Sequence, residues 1–386
     1  MDPKTLLHGG LTVLPDGRID RLNILLSAGA IDAVGPDLDI FGDVETWDSS
    51  GLTIAPGFID VHVHGGGGFS LITTDPTEIR DYARWAVSHG VTSFLATICA
   101  DSVEAGIECV RVAASAVGPI DGGATLLGLN LEGPFVSPDR SGALPPDWIA
   151  PPDLPLLGRI MAVGEGTIRV MTIAPELDGV APVIKAALDG GVRVSVGHTD
   201  AKYDQALAAF GSGASHVTHA FNAMRPLHHR DPGAVGAALA SSGVTIEAIA
   251  DGVHLHPTTV SLLVRAFGAD RVCLVTDAVR PAGLDSGTFR IGGHDAVMDH
   301  GSIRLPDGTI TGSAATMDAA LRNVVSWGVA SVAEGISMAS GTPARALGVG
   351  DRKGSIAPGC DADIVALDAN LNVVATWVGG ALVYQR

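Results

Sequence analysis

Eight short apolar runs, each followed by a longer stretch of mixed polarity, constrain this 386-residue chain more than any other feature. They fall at 53–61, 92–99, 125–131, 168–174, 192–197, 214–220, 244–250 and 271–276. Each is almost continuous in apolar residues. A strand covered on both faces needs that, whereas a strand with one wet face alternates. Helix signals mark the stretches between. Asp75-Pro76 offers an N-cap followed by a first-turn proline, Asp75–His89 is amphipathic, and Gly90 ends it. Ala201–Phe210 and Pro257–Phe267 behave alike. Repeated β/α units of this kind predict a parallel (β/α)8 barrel of the TIM type over residues 53–351.

The flanks have a different texture. Residues 1–52 read as short strands and turns, with Asp16-Gly17 as a hairpin signal. Thr316–Trp327 and Val332–Ser340 read as helices; strand-like runs then return at Ala362–Leu367, Val373–Val378 and Ala381–Tyr384. Neither flank can bury enough to stand alone. Residues 1–52 and 352–386 are therefore expected to pair into one small β-sandwich domain, discontinuous in sequence. The alternative is that each tail packs separately on the barrel.

Composition narrows the function. A hydrophobic content of 46% supports a large core and excludes a disordered chain. Aromatics are few while Gly and Ala abound, which suits close strand–helix packing. A formal charge of −18 argues against nucleic acid or an anionic membrane as partner. A small anionic substrate stays open, because a local field can oppose the net charge. Cys99, Cys109, Cys273 and Cys360 lie far apart without a CxxC, so they are expected as reduced core thiols of a cytoplasmic protein. Met1-Asp2-Pro3-Lys4 lacks the basic start and apolar core of a secretory signal, and no apolar stretch reaches the roughly 18 residues of a membrane span.

In a parallel barrel the C-terminal strand ends converge on one face. Here those ends carry His62 and His64 on strand one, Glu132 on three, His198 on five, His219 on six and Asp277 on eight. The i, i+2 spacing of His62 and His64 presents both imidazoles to one side of a strand. A lone histidine is more often a hydrogen-bonded structural residue. Six such residues at equivalent positions on five strands predict one metal centre. The donors are nitrogen and carboxylate oxygen without thiolate, which favours Zn²⁺ or Fe²⁺, with Mn²⁺ or Co²⁺ as substitutes. A catalytic cation lowers the pKa of water at an open position towards ~7. Asp277 is then expected as general base, taking that water's proton and handing it to a leaving amine.

Several strings resemble a known family. His62-Val63-His64 after Ala55-Pro56-Gly57-Phe58-Ile59-Asp60 resembles the opening signature of the amidohydrolase superfamily. Leu131-Glu132-Gly133-Pro134-Phe135, Gly197-His198-Thr199, Thr218–Met224, Ala250–His254 and Thr276-Asp277-Ala278 resemble its N-acetylglucosamine-6-phosphate deacetylase family. So do Gly312-Ser313 with Thr316-Met317-Asp318, and Met338-Ala339-Ser340 with Pro343-Ala344-Arg345. The likeness spans essentially the whole chain.

The resemblance implies that Glu132, His198 and His219 hold a principal metal, while His62 and His64 allow a second with Glu132 bridging, so one or two ions per subunit. It implies acid/base work by Asp277 and substrate contacts from the backbone around Asn222 and Ala223, from His254, and from Arg230 reaching a neighbouring subunit's phosphate in a homodimer. The basic loop Arg225–Arg230, with His228 and His229, reads either as a solvated surface loop or as a phosphate clamp. The implied reaction is hydrolysis of N-acetylglucosamine 6-phosphate to glucosamine 6-phosphate and acetate; the galactosamine isomer or another N-acyl compound is the alternative. One departure stands out. The family usually carries Gly-Ala-His where this chain has Gly142-Ala143-Leu144. Leucine offers no hydrogen bond, and one lost transition-state donor can cost ~3 kcal/mol.

Rival readings are weaker. His64-Gly65-Gly66-Gly67-Gly68 looks like the oxyanion loop of serine esterases, but no Gly-x-Ser-x-Gly elbow accompanies it, and Arg193 sits where Ser195 would need glycine. Those glycines also lack a dinucleotide fingerprint's spacing and read as a flexible loop. His89, His216, His294 and His300 read as structural or surface residues, and His256 as helix-start packing. A non-catalytic scaffold of the same fold has no physical need for both Asp277 and every candidate ligand.

Overall fold

The apolar runs fold into eight parallel strands in strict sequential order: Phe58–Val63, Val91–Ile98, Thr125–Glu132, Ile168–Ile173, Arg193–Val196, His216–Val217, Thr245–Ile249 and Val272–Val275. The computed structural model describes residues 4–39, 42–291, 294–299 and 301–386; Met1-Asp2-Pro3 and His300 lie outside them. Two backbone hydrogen bonds join the last strand to the first, from Asp277 N to His62 O and from His64 N to Ala278 O, both 2.8 Å. Strand and helix side chains between them form one continuous core that includes Phe94, Leu126, Met171, Val194 and Ile246, all fully buried.

Helix starts follow their local chemistry. The Asp75 carboxylate accepts from Thr77 N at 2.8 Å ahead of Pro76–Ala86, and the His256 side chain accepts from Thr258 N ahead of Pro257–Phe267. The stretch expected as one helix over 332–340 runs as an α segment, Val332–Ile336, then a π turn, Ser337–Gly341.

Both ends of the chain build sheets outside the barrel. Ala381–Gln385, Val373–Val378, Ile364–Leu367, Thr53–Pro56, Leu11–Val13 and Ile19–Arg21 form a six-stranded sheet in that order. Asp16 and Gly17 sit in the turn that pairs Leu11–Val13 with Ile19–Arg21. A four-stranded sheet of Ala30–Gly35, Asn23–Ser27, Lys4–His8 and Val44–Asp48 faces it across a shared core of Leu7, Ile24, Ile54, Ile364 and Trp377. The expected first barrel strand is thus two strands. Thr53–Pro56 pairs with Ile364–Leu367, and only Phe58–Val63 enters the barrel. Gly57 makes the bend: a Cβ there would lie 2.2 Å from the Thr92 side chain.

A second departure follows strand eight. Gly287–Ile291, His294–Asp299, Ser302–Arg304 and Ile310–Ser313 form an antiparallel meander over the barrel mouth, with its own small core of Val279, Ala296, Met298 and Ile303. Its strands are short and alternate in polarity, so they carry neither the continuous apolar signal of the barrel nor a helical period.

Candidate metal centre

Every side chain singled out at a strand end faces the same point. Glu132 Oε1 lies 2.9 Å from both His198 Nε2 and His219 Nε2, and those two nitrogens are 3.2 Å apart. Glu132 Oε2 lies 3.3 Å from His64 Nε2. Asp277 Oδ1 lies 3.2 Å from His64 Nε2 and 3.6 Å from His62 Nε2. Two sets of donors therefore adjoin, one of His198, His219 and Glu132, the other of His62, His64 and Asp277, and Glu132 reaches both. All six residues are buried.

The backbone works to aim them. His198, His219 and Asp277 take positive φ values of 44°, 24° and 48°, a left-handed conformation that costs a non-glycine residue roughly 1 kcal/mol or more. It turns each side chain inward as its strand ends. Ser313 N, at the end of the meander, donates to Asp277 O at 2.8 Å and fixes that turn from the other side. Gly312 permits this approach, since a Cβ there would lie 2.5 Å from Val279 and 3.0 Å from Asp277 O.

Whether these residues suit a cation is decided by where their protons go. His62 Nδ1 is 2.9 Å from Glu247 Oε2, His198 Nδ1 is 2.9 Å from Arg140 O, and His64 Nδ1 is 3.2 Å from Thr97 O. Each acceptor takes the Nδ1 proton and leaves an Nε2 lone pair pointing at the centre. His62 Nε2 is buried with no hydrogen-bond partner at all. Imidazole nitrogens converging on one carboxylate, with that of His62 left without a partner, fit a divalent ion with nitrogen and oxygen ligands.

The electrostatics agree. Burial would raise the Glu132 carboxyl, but hydrogen bonds from His198, His219 and His64 hold it well below its ordinary value. Burial would lower His62, yet the Glu247 carboxylate overrides this and pushes it up to about 9. His64 is raised too, so each ring without a cation holds a second proton on Nε2 that a bound cation has to displace before that lone pair is available. Burial would likewise raise Asp277, and the His64 hydrogen bond with the neighbouring imidazoles keeps it low, so it is an ionised carboxylate. Buried carboxylates thus outnumber fixed positive charges here, and the centre attracts a cation.

Glu247 is the residue that reading the sequence missed. It sits within an apolar strand, is 1% exposed, and accepts from His62 Nδ1 at 2.9 Å, His216 Nε2 at 3.0 Å and His219 N at 2.9 Å. A lone acidic residue inside a continuous apolar run was the available signal. His216, expected as structural, is its buttress. Replacing Glu247 by Gln should weaken metal affinity about 10- to 100-fold, since one outer carboxylate is lost while the ligands stay. Metal titration of the variant against the parent checks this, and unchanged affinity would exclude the role.

Above these six residues opens a cavity of ≈ 780 Å³. His64, Glu132, His198, His219 and Asp277 reach its floor. Asn222, Ala223 and His254 line its side, with His254 Nδ1 held by Asp251 Oδ2 at 2.7 Å so that Nε2 is free for the cavity. Leu144 also lines it, 7% exposed. Arg230 does not. It is exposed on the 225–231 loop with Nη1 2.7 Å from His229 Nε2. Arg225 anchors that loop to Asp200 and Asp231. The glycines after His64, expected as a flexible loop, form a tight hairpin in which Gly65–Gly66 pairs with Phe69–Ser70. A Cβ on Gly66 or Gly67 would strike the Trp85 ring at 2.2 and 2.5 Å, which explains the glycines without any oxyanion role.

Cys109, Cys273 and Cys360 are buried free thiols, and Cys99 is half-buried in the cavity wall. Among the described residues no helix is long and apolar enough to cross a membrane.

Comparison with known proteins matches the amidohydrolase family model to residues 53–383. The chain is 36% identical over 370 residues to N-acetylgalactosamine-6-phosphate deacetylase of Escherichia coli O157:H7, covering 95% of this chain and 96% of that one. It is 38% identical over 390 residues to human N-acetylglucosamine-6-phosphate deacetylase, covering 97% and 94%. Its fold is similar to that of the Mycobacterium smegmatis N-acetyl-D-glucosamine-6-phosphate deacetylase solved in complex with N-acetyl-D-glucosamine-6-phosphate. There the TM-score is 0.91 at 34% identity, over 99% of this chain and all of the other.

Proposed function

The chain belongs to the amidohydrolase family, and from that membership we propose the activity that its site supports best. It is a metal-dependent hydrolase of the N-acetyl amide of an amino-sugar phosphate, converting N-acetylglucosamine 6-phosphate to glucosamine 6-phosphate and acetate. The galactosamine isomer is the second reading, favoured by the likeness to the E. coli enzyme. The observation that carries the proposal is an ionised Asp277 beside two adjoining ligand sets on the floor of a cavity that can admit a sugar phosphate.

Zinc or ferrous iron held by Glu132, His198 and His219, with a second ion on His62 and His64 sharing Glu132, would polarise the amide carbonyl and acidify the attacking water. Asp277 accepts the proton of that water as it adds to the acyl carbon. The same carboxyl then returns a proton to nitrogen as the C–N bond breaks, so that a neutral amine leaves. Glu247 and the Arg140 and Thr97 carbonyls fix the imidazole orientations throughout. His254 and the backbone at Asn222 and Ala223 orient the sugar from the side. The two flanks, with Thr53–Pro56 added to the first, act as one discontinuous β domain that steadies the barrel. Unpaired thiols in the core suit a cytoplasmic enzyme.

Because Arg230 is exposed and does not line its own cavity, we assign its phosphate partner to a neighbouring subunit of a homodimer. Arg230→Ala should weaken kcat/KM for phosphorylated substrates about 10- to 100-fold, the worth of a charge-assisted contact, and leave unphosphorylated N-acetyl hexosamines nearly unchanged. Equal effects on both would remove the clamp. The whole reading is tested by metal analysis of the purified protein joined to acetate release from N-acetyl hexosamines with and without a 6-phosphate. Metal-loaded protein that releases no acetate from any of them would end it.

A further inference from the structure

One wall of the cavity is of no use to a sugar phosphate. Ile72, Cys99, Ala100 and Leu144 line it and belong to a single apolar cluster, backed by Val136 and Trp148. Cys109 extends the wall, and Ala105, exposed on the same helix Val103–Ser115, forms its outer edge. The wall begins at the reacting groups, for Cys99 Sγ is 3.9 Å from His64 Nδ1 and His64 Nε2 is 3.2 Å from Asp277 Oδ1.

A sugar hydroxyl pressed against these side chains would lose its hydrogen bonds to water with nothing to replace them. The rim carries Thr73, Thr74 and Asp101, whose carboxylate repels a phosphate, and the arginine that also lines the cavity, Arg280, is already paired with Glu78. Hydrogen-bonding groups line the loops after strands six, seven and eight instead, through Asn222, His254 and Thr311. Of the three parts of such a substrate, only the alkyl end of the acyl group is compatible with the apolar wall. An acetyl methyl would cover little of it.

We infer that this wall is an acyl pocket, and that the preferred substrates are amino-sugar phosphates whose N-acyl chain is longer than acetyl, of the propionyl to butyryl class. The inference rests on the hydrolase reading above and deepens it. The reaction is unchanged in its balance. Water adds to the acyl carbon, the C–N bond breaks, one proton passes to nitrogen, and propionate or butyrate leaves in place of acetate.

The test uses the metal-loaded full chain with N-acetyl-, N-propionyl- and N-butyryl-glucosamine 6-phosphate, read by the free amine released. Each added methylene that buries against the wall should raise kcat/KM about fourfold. A value for propionyl equal to or below that for acetyl overturns the pocket while leaving the hydrolase reading intact. Absence of turnover on all three overturns both. Ala105→Leu narrows the outer edge at an exposed helix position, where folding tolerates it. It should lower the butyryl-to-acetyl ratio of kcat/KM at least tenfold, and a ratio unchanged by the substitution places the chain elsewhere and refutes the assignment.

Discussion

Asp277→Asn should lower kcat by about 10²- to 10⁴-fold while the protein keeps its metal, the range expected when one positioned proton carrier is lost. The substitution is nearly isosteric. Asparagine retains an oxygen at the position 3.2 Å from His64 Nε2, so whatever that oxygen contributes to the cation is preserved. What it loses is basicity. The backbone contacts that hold the residue, Asp277 N to His62 O and Ser313 N to Asp277 O, do not involve the side chain, so the fold should stand. Single-turnover kinetics with metal analysis of the same sample separates the two effects. A variant with near-normal kcat would refute the assignment of the base, and one that loses metal in proportion to activity would make Asp277 chiefly a ligand.

Glu132→Gln should be at least as damaging, but by another route. Its carboxylate is the one group that both donor sets share, within 2.9 Å of His198 Nε2 and His219 Nε2 and 3.3 Å of His64 Nε2. Loss of an outer carboxylate weakens a metal site about 10- to 100-fold, and loss of an inner one should exceed that. Metal content and turnover should therefore fall together, by more than about 100-fold in affinity, in contrast to the Asp277 variant. The Glu132 carbonyl still accepts from Trp148 Nε1 at 2.7 Å, which keeps the strand end in place. A Glu132→Gln protein that binds its metal as the parent does would remove Glu132 from the ligand shell.

The barrel and the gathering of strand-end side chains were legible because both follow from short-range rules. Continuous apolar runs announce strands buried on two faces, and parallel strands bring their C-terminal ends together whatever the loops do. His62, His64, Glu132, His198, His219 and Asp277 could be gathered on that ground before any coordinate was known. The parts that escaped depend on contacts distant in sequence. Glu247 closes no strand, and its value shows only once His62 and His216 lie against it. Thr53–Pro56 is as apolar as the strand after it, and only pairing with Ile364–Leu367 assigns it to the outer sheet. The positive φ at His198, His219 and Asp277 has no signature in residue type. Cys99 reads as an ordinary core thiol until the second strand ends beside His64.

The circle of strands is sealed where Asp277 N meets His62 O and His64 N meets Ala278 O. The last join of the architecture and the carboxylate we assign to proton transfer are thus one place. On that assignment, a chain that has folded everything except that seam should have no working catalyst, and a mature one in which the seam gapes should have lost its own. Activity should then report closure.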